Sequence, residues 1–308
     1  MNKYEKKVPL LTVLVPSYNH ENYIEECLNA VLEIKIEKKV IVIDDGSTDG
    51  TPDVVRSIIA KNQEHDIEFI EKENSGLVSS LNLGLSKVET EFFYLVASDD
   101  IVIPKGIEEA IEVMIKNRNL HFFIGGGQNF YENTQKSSIY SSKHEDFFNL
   151  DYEERKREMF LNYPQPILLQ STVFRTSALK DIGGWDSDII SDDFSIFIKL
   201  FLFFKKYNED FIFKKDLNIV LYRHHGSNSY KNVERQFITM YEVISKFAIY
   251  PIKYKAVGYL LGEPLLVLIK YLEVKAFFRL LKLSPWKSYP YAVQKIFFVI
   301  YIRVFKDD

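Results

Sequence analysis

Small polar and acidic residues follow short apolar runs at three places in the first hundred residues of the chain. These polar stretches are residues 16–20, 44–50 and 98–100. Aspartates dominate the second and third stretches. A carboxylate can accept a hydrogen bond from a ligand N–H, hold a hard divalent cation or remove a proton from a hydroxyl group. The three stretches are therefore the first candidates for a ligand-binding site.

The apolar runs around these stretches have the length of buried strands. They are residues 10–15, 40–43, 67–70 and 92–97. Apolar residues recur at helical spacing between the first two runs. Strands that alternate with helices predict an α/β fold with a mostly parallel central sheet flanked by helices. In such sheets ligands bind beyond the carboxyl ends of the strands, so we expect the polar stretches to meet at one edge.

The polar stretches, in this order along the chain, resemble the motifs of glycosyltransferase family 2. The enzymes of that family have the GT-A fold. The resemblance covers about residues 9–230 and implies inverting transfer of a sugar from a nucleotide sugar to an acceptor hydroxyl. In that family the aspartate that ends the second strand reads the base, which implies this role for Asp45. A carboxylate suits the imide N–H of uracil, so a UDP-sugar is the expected donor. Tyr18 would pack on the base, and the backbone of Pro16 and Ser17 would shape the pocket.

Asp99 and Asp100 correspond to the acidic metal-binding motif of the family. Many members carry Asp-x-Asp there, whereas Ser98 precedes the two aspartates in this chain. We therefore expect Asp99 and Asp100 to share the ribose contact and the metal, with the metal assigned to Asp100. His225 is the preferred further ligand, although its neighbour His224 leaves that choice open. Hard oxygen ligands favour Mg²⁺ or Mn²⁺, which would offset charge on the leaving diphosphate.

A second group of motifs lies in residues 170–229. An apolar run, a Gly-Gly-aromatic-Asp turn and the acidic pair Asp192 and Asp193 resemble the second signature of the family. Its second acidic residue is usually the catalytic base, which implies that Asp193 removes the proton of the acceptor hydroxyl. Asp192 replaces a more frequent glutamate, so the two neighbours can exchange roles. Arg223, in an aromatic-Arg pattern followed by histidine, is expected beside the donor diphosphate.

Charge is distributed unevenly along the chain. Residues 246–308 carry eleven basic and four acidic residues, a net charge of +7 in a chain whose total is −4. We therefore expect a GT-A catalytic domain at residues 1–235 and a basic amphipathic helical tail at residues 236–308. Within the catalytic domain, residues 9–115 would form the nucleotide-binding half and residues 116–235 the acceptor half.

The tail has features of a membrane-surface segment. Lys275, Arg279 and Lys282 recur at helical spacing among apolar residues, and Trp286 lies beside a predicted turn. Basic amphipathic helices with interfacial aromatic residues bind anionic membrane surfaces. We therefore expect a protein peripheral to the inner face of the cell membrane that acts on a lipid-linked or surface-glycan saccharide. The alternative is a helical pair packed on the catalytic domain.

Other observations exclude competing classes. Cys27 is the single cysteine, which excludes an internal disulfide framework and fits a reducing cytosol. Residues 1–8 lack the apolar core of a secretory signal, and no run reaches the roughly 18 apolar residues of a spanning helix. His20 is expected to be a loop or surface residue, and no nucleic-acid partner is expected. The oligomeric state stays open.

Two other functions compete with sugar transfer. A sugar-phosphate nucleotidylyltransferase would need a Gly-rich basic first loop, which residues 16–20 do not provide. A membrane-docked nucleotide-binding scaffold without activity is the other alternative, against which the four aspartates at positions 45, 99, 100 and 193 argue.

Overall fold

The computed structural model describes residues 8–131, 137–225 and 233–305. The chain divides into two compact units, each built from segments distant in sequence. The first unit comprises Met1–Asn149, Pro166–Ser187 and Lys199–His225, and the second comprises Leu150–Gln165, Asp188–Ile198 and Gly226–Asp308. The sequence-based division placed residues 150–165 and 188–198 in the catalytic domain, whereas the structure groups them with the C-terminal helices. Their apolar faces pack within that unit, which charge and motif spacing along the chain do not reveal.

One sheet runs through the first unit. Its strands are β1 (Leu11–Ser17), β2 (Lys38–Asp44), β3 (Asp66–Glu71), β4 (Phe92–Leu95), β5 (Ile101–Val102), β6 (Phe122–Phe130), β7 (Ser137–Ser138), β8 (Thr172–Arg175) and β9 (Phe211–Arg223). The order is β3-β2-β1-β4-β8-β6-β9-β5, and β7 pairs with β6. The first four strands of this order pair in parallel, as do β6 and β9, whereas β8 is antiparallel to both of its neighbours. The longest pairings are parallel, so the predicted α/β fold with a mostly parallel sheet is confirmed.

Helices cover the central strands of this sheet. The helices of the first unit are α1 (Ile24–Leu32), α2 (Thr51–Lys61), α3 (Leu77–Ser86), α4 (Pro104–Lys116), α5 (Ser142–Asn149) and α7 (Thr176–Asp181). Every residue of β1 is buried, as expected for a strand covered on both faces. Gly84 on α3 lies against β1, where an added Cβ would come within 2.4 Å of a Leu14 methyl group. The absence of a side chain at Gly84 therefore lets α3 lie close to the sheet.

The second unit is helical over the residues that the structure describes. It contains α6 (Tyr152–Leu161), the start of α8 (Asp193–Phe203), α9 (Val233–Phe247), α10 (Ile252–Lys270), α11 (Val274–Leu283) and α12 (Tyr289–Phe305). Phe237, Leu261, Leu265 and Leu280 are buried in its core. The predicted C-terminal helical extension is thus confirmed. Among residues 8–131, 137–225 and 233–305, no helix combines the length and the apolar character needed to cross a membrane.

The C-terminal helices expose several large apolar side chains. The exposed fraction reaches 82% at Leu272, 77% at Tyr250 and 73% at Trp286 between the long helices, and it is 67% at Phe297 on α12 and 63% at Phe278 on α11. The second unit therefore has a packed core and several exposed large apolar side chains.

Candidate active site

The three polar stretches meet at the carboxyl edge of the sheet. The ends of β1, β2 and β4 are neighbours because these strands pair in parallel. Asn19 N donates to Ser47 Oγ over 2.8 Å, which joins the first stretch to the second. His20 Nδ1 lies 2.7 Å from Ser98 Oγ, which joins the first stretch to the third. The predicted convergence of these stretches is therefore confirmed.

Asp45, the residue expected to read the nucleotide base, is buried just beyond the end of β2. Its carboxylate pairs with the Lys72 ammonium and accepts hydrogen bonds from Ser75 N and Gly76 N, both at 2.9 Å. Gly76 directly precedes α3, so the carboxylate also lies at the positive end of that helix. Asp45 thus fastens the segment between β3 and α3 to the edge of the sheet.

The residues at the end of β1 form a second part of this edge. Tyr18 is 45% exposed, so its ring face is accessible for stacking. The carbonyl of Ser17 accepts a hydrogen bond from Asp45 N over 2.9 Å. Ser17 Oγ is buried, and in the part of the chain that the structure describes it has no hydrogen-bond partner. Pro16 lies within β1, paired with Ile43 of β2, and contributes only backbone to the edge.

His20, Asp99 and His225 form a cluster that fits a divalent cation. Nε2 of His225 lies 2.8 Å from Asp99 Oδ2, and Nε2 of His20 lies 3.9 Å from the same oxygen. One ligand atom from each residue lies within 4.8 Å of the others. Ions such as Zn²⁺ and Mg²⁺ bind nitrogen and oxygen at about 2.0–2.2 Å, so ligands on opposite sides are about 4 Å apart. The cluster therefore needs only a small adjustment to share one ion.

The protonation of His20 agrees with a role as ligand. Burial lowers the pKa of His20 more strongly than the nearby Asp99 carboxylate raises it. The ring is therefore neutral near pH 7, which is the form that binds a metal. Its Nδ1 is engaged with Ser98 Oγ, so the ring orientation is fixed and Nε2 points to Asp99. This arrangement is typical of ligating histidines, whose second ring nitrogen is held by an outer partner.

Asp100, to which the sequence assigned the metal, does not join this cluster. Its side chain is 1% exposed, and it accepts hydrogen bonds from Arg223 N over 2.8 Å and from Gln170 Nε2 over 3.0 Å. Burial and the adjacent Asp99 raise the pKa of Asp100 well above its usual range. Arg223 is itself buried, and its guanidinium pairs with Glu26 and donates to the Asp99 carbonyl. Asp100 and Arg223 thus support the loop that carries Asp99.

The two neighbouring histidines lie in different surroundings. His224 Nε2 lies 2.7 Å from Asn129 Oδ1, and the ring of His224 stacks on Tyr131 with centroids 4.3 Å apart. His225 instead stacks on Tyr23, with centroids 4.9 Å apart, and reaches Asp99. The geometry therefore favours His225 over His224 as a metal ligand.

Asp192 and Asp193 lie in the second unit, at the start of α8. The Asp192 carbonyl accepts a hydrogen bond from Ile196 N over 3.3 Å, and Asp193 is the first residue of the helix. Burial raises the pKa of Asp192. A raised pKa brings a carboxylate closer to the working range of a general base. The raised pKa is compatible with a base at Asp192, and the choice between Asp192 and Asp193 stays a prediction.

Two residues of this site escaped the sequence analysis. His20 was expected on a loop or surface, yet it completes the cluster with Asp99 and His225. Lys72, the first residue beyond β3, pairs with Asp45. His20 lies in the stretch 16–20 that the strand-end rule selected but was set aside within it, and Lys72 would have been selected if the same rule had been applied to β3.

Comparison with known proteins identifies the family. Residues 12–183 match the family model described as "Glycosyl transferase family 2". The poly-beta-1,6-N-acetyl-D-glucosamine synthase of Staphylococcus epidermidis is 26% identical over 200 residues, which are 64% of this chain and 47% of that protein. The enzyme of the same name from Staphylococcus aureus strain MSSA476 is 29% identical over 199 residues, 62% of this chain and 46% of that protein. The chain thus covers about half the length of these relatives.

Solved structures establish the type of fold. Staphylococcus aureus TarS 1–349 in complex with UDP-GlcNAc superposes with a TM-score of 0.59 at 19% identity, over 82% of this chain and 71% of that one. The mannosyltransferase PcManGT from Pyrobaculum calidifontis, in complex with GDP-Man and Mn²⁺, gives a TM-score of 0.59 at 16% identity, over 97% of this chain and 88% of that one. The expected GT-A type of fold is confirmed.

Proposed function

The chain belongs to glycosyl transferase family 2, and from this membership we propose that it transfers a sugar from a nucleotide-sugar donor to an acceptor hydroxyl with a divalent metal ion bound. The cluster of His20, Asp99 and His225 at the carboxyl edge of the sheet is the observation that carries this proposal. A bound divalent ion would neutralise the charge that develops on the leaving nucleoside diphosphate.

The metal is proposed to be Mn²⁺ rather than Mg²⁺. Two of the three ligands in the cluster are imidazole nitrogens. Mg²⁺ strongly prefers oxygen ligands, whereas imidazole is a good ligand for first-row transition metals. The complex of PcManGT with Mn²⁺ supports the same choice.

The donor is proposed to be a UDP-sugar. Asp45, just beyond β2, and Lys72, just beyond β3, would face the base, and Tyr18 would stack on it. A lysine and a carboxylate side by side offer both a donor and an acceptor, which matches the O4 and N3–H of uracil. The complexes of TarS with UDP and UDP-GlcNAc support this choice of nucleotide.

We propose an inverting mechanism in which Asp193 is the general base. Such a base removes the proton of the acceptor hydroxyl while that oxygen attacks the anomeric carbon. Asp192, whose pKa burial raises, is the alternative base. The predicted catalytic domain, residues 1–235, would supply this chemistry. Its acceptor half would be residues 116–235.

The acceptor is proposed to be a lipid-linked or surface-glycan saccharide, reached at the inner face of the cell membrane. The names of the relatives from Staphylococcus support a glycan acceptor. Exposed apolar side chains of α11 and α12 occur together with basic residues such as Lys282 on α11 and Lys287 between the two helices. An anionic membrane surface satisfies both kinds of side chain.

Donor turnover tests the proposed activity directly. Purified protein would be incubated with UDP-GlcNAc, UDP-glucose, UDP-galactose and GDP-mannose, each with Mn²⁺, Mg²⁺ or chelator, and release of the nucleoside diphosphate would be measured. We expect Mn²⁺-dependent release from one UDP-sugar. If no nucleotide sugar is consumed with either metal, the protein is instead the inactive nucleotide-binding scaffold.

A further inference from the structure

A pocket of about 370 Å³ lies within the second unit. Side chains of α6, α9 and α10 form its walls, and Phe194 of α8 and Lys295 of α12 complete it. Pockets of roughly 300–1,000 Å³ are the usual size for small-molecule sites in proteins. The pocket is therefore large enough to hold a ligand and is not a packing defect.

The walls of this pocket are mainly apolar. Twelve of its lining residues have apolar side chains: Met159, Phe160, Leu161, Phe194, Val233, Phe237, Met240, Ile244, Ala256, Leu260, Pro264 and Val267. Two are methionines on facing helices, and the flexible thioether of methionine adapts to ligands of irregular shape. The walls therefore favour a flexible hydrocarbon over a rigid polar group.

Four of the seven polar side chains around the pocket are engaged by the protein itself. Glu263 and Lys295 pair with each other over 3.2 Å. Asn162 donates its amide to Glu158 over 2.5 Å, and Gln165 donates to the Met240 sulfur over 3.1 Å. A sugar ring would need several free donors and acceptors to replace its hydration, because a buried polar group without a partner is costly. The lining therefore does not suit a saccharide.

One lining residue of the pocket is a sequence neighbour of Asp192 and Asp193, the acid pair at the start of α8. Phe194, which lines the pocket, directly follows Asp193 in the first turn of α8. This adjacency along α8 is what links the pocket to Asp192 and Asp193.

We propose that this pocket binds a hydrocarbon chain, alkyl or isoprenoid, that is carried by the acceptor of the transfer reaction. The proposal rests on the proposed function in one respect, because it makes the chain a part of the acceptor. The pocket selects amphiphilic acceptors through the length of their apolar part, and the acid pair acts on the hydroxyl group of their polar part.

Binding without turnover tests the pocket by itself. The fluorescent hydrocarbon probe N-phenyl-1-naphthylamine would be bound to the full chain and displaced with n-alkyl β-D-glucosides from propyl to octyl, below their micelle concentrations. Each methylene that enters the pocket is expected to tighten binding about fourfold. If all chain lengths displace the probe equally, the pocket does not bind hydrocarbon and the proposal is overturned.

A pair of variants on one helix locates the effect. Met240→Trp fills the pocket and should remove the dependence on chain length, whereas Thr239→Trp on the same helix lies outside the lining and should keep it. Thermal unfolding checks that both variants fold. Val267→Phe, at a partly exposed position of the lining, repeats the test should Met240→Trp not fold. Unchanged chain-length dependence in a folded pocket variant would overturn the proposal.

Turnover then separates the two proposals. With an active donor, the KM for octyl glucoside as acceptor should rise at least tenfold in Met240→Trp, while Mn²⁺-dependent donor hydrolysis stays at the wild-type rate. If no nucleotide sugar is consumed but chain-length-dependent displacement persists, the pocket stands and the proposed function fails. If the donor is consumed but the KM is the same for propyl and octyl glucoside, the pocket plays no part in acceptor binding.

Discussion

Replacing His20 by alanine should weaken Mn²⁺ binding about 100-fold. The cluster offers three protein ligand atoms, from His20, Asp99 and His225, so the variant loses one of three. Loss of an outer-shell partner alone lowers metal affinity about 10- to 100-fold, and loss of a direct ligand belongs at or beyond the upper end of that range. A factor of 100 corresponds to about 2.7 kcal/mol of binding free energy.

The outer partner of His20 allows a graded version of the same test. Ser98 Oγ holds Nδ1 of His20 at 2.7 Å and is buried. Ser98→Ala leaves all three ligands in place but releases the orientation of the ring. We therefore expect about a tenfold loss of Mn²⁺ affinity, smaller than that of His20→Ala.

The assay is titration of Mn²⁺ followed by electron paramagnetic resonance, which counts free ion and needs no turnover. His65→Ala is the matched control, because His65 precedes β3, lies outside the cluster and pairs with the neighbouring Glu64 over 3.6 Å. The reasoning would be refuted by wild-type Mn²⁺ affinity in His20→Ala together with lost affinity in His225→Ala. His20 would then only pack beside the site.

Four other predictions concern the donor, the base, the pH dependence of stability and the membrane. Asp45→Ala should weaken UDP binding by about 1.5–3 kcal/mol in calorimetry and also lower stability, because two backbone N–H groups before α3 lose their acceptor. Asp193→Asn should keep UDP and Mn²⁺ affinity but slow transfer about 10²-fold or more; normal transfer there and loss in Asp192→Asn would identify the neighbour as base. Burial raises the pKa of Asp192, so the folded protein loses stability as pH rises through that pKa, and Asp192→Asn should have a higher Tm than the wild type at pH 8 but not at pH 4. Trp286→Glu, at a 73% exposed site, should reduce co-sedimentation with phosphatidylglycerol liposomes about tenfold, and equal sedimentation of both proteins would contradict membrane docking.

The sheet and the location of the site could be predicted from the sequence because both depend on short-range patterns. Continuous apolar runs marked β1, β2, β3 and β4 to within two residues at each end. Polar residues after such runs must reach the carboxyl edge of a parallel sheet, whichever helices follow. Asp45 and Asp99 were found in this way.

Which of two neighbouring residues faces the site could not be predicted from the sequence. Asp99 and Asp100 are adjacent and have the same side chain. Arg223, 123 positions farther along the chain, donates its backbone N–H to Asp100 and holds that carboxylate in the interior. His20 and His225 lie 205 positions apart by numbering and meet only after β1 and β9 are in place. Such contacts depend on how distant segments pack. Motif spacing along the chain does not encode them.

Which segments form the second unit could not be predicted for a similar reason. Residues 150–165 lie between segments of the first unit, and nothing in their sequence identifies the helices against which they pack. Their grouping with α9 and α10 depends on which apolar faces meet after folding. Net charge along the chain reflects the surface of the C-terminal helices. It does not reveal that residues 150–165 and 188–198 belong to the same unit.

Gly84 connects the interior of the first unit to the end of β2, where we propose that the nucleotide binds. It seats α3 on β1, and the first residue before that helix, Gly76, donates its N–H to Asp45. A larger side chain at position 84 would push α3 outward and move Gly76 away from the Asp45 carboxylate. This would happen although residue 84 packs against Leu14 in the core and not against the proposed nucleotide site. Random mutagenesis should therefore yield variants at Gly84 whose Michaelis constant for the nucleotide sugar increases with temperature, a conditional defect that originates in the core.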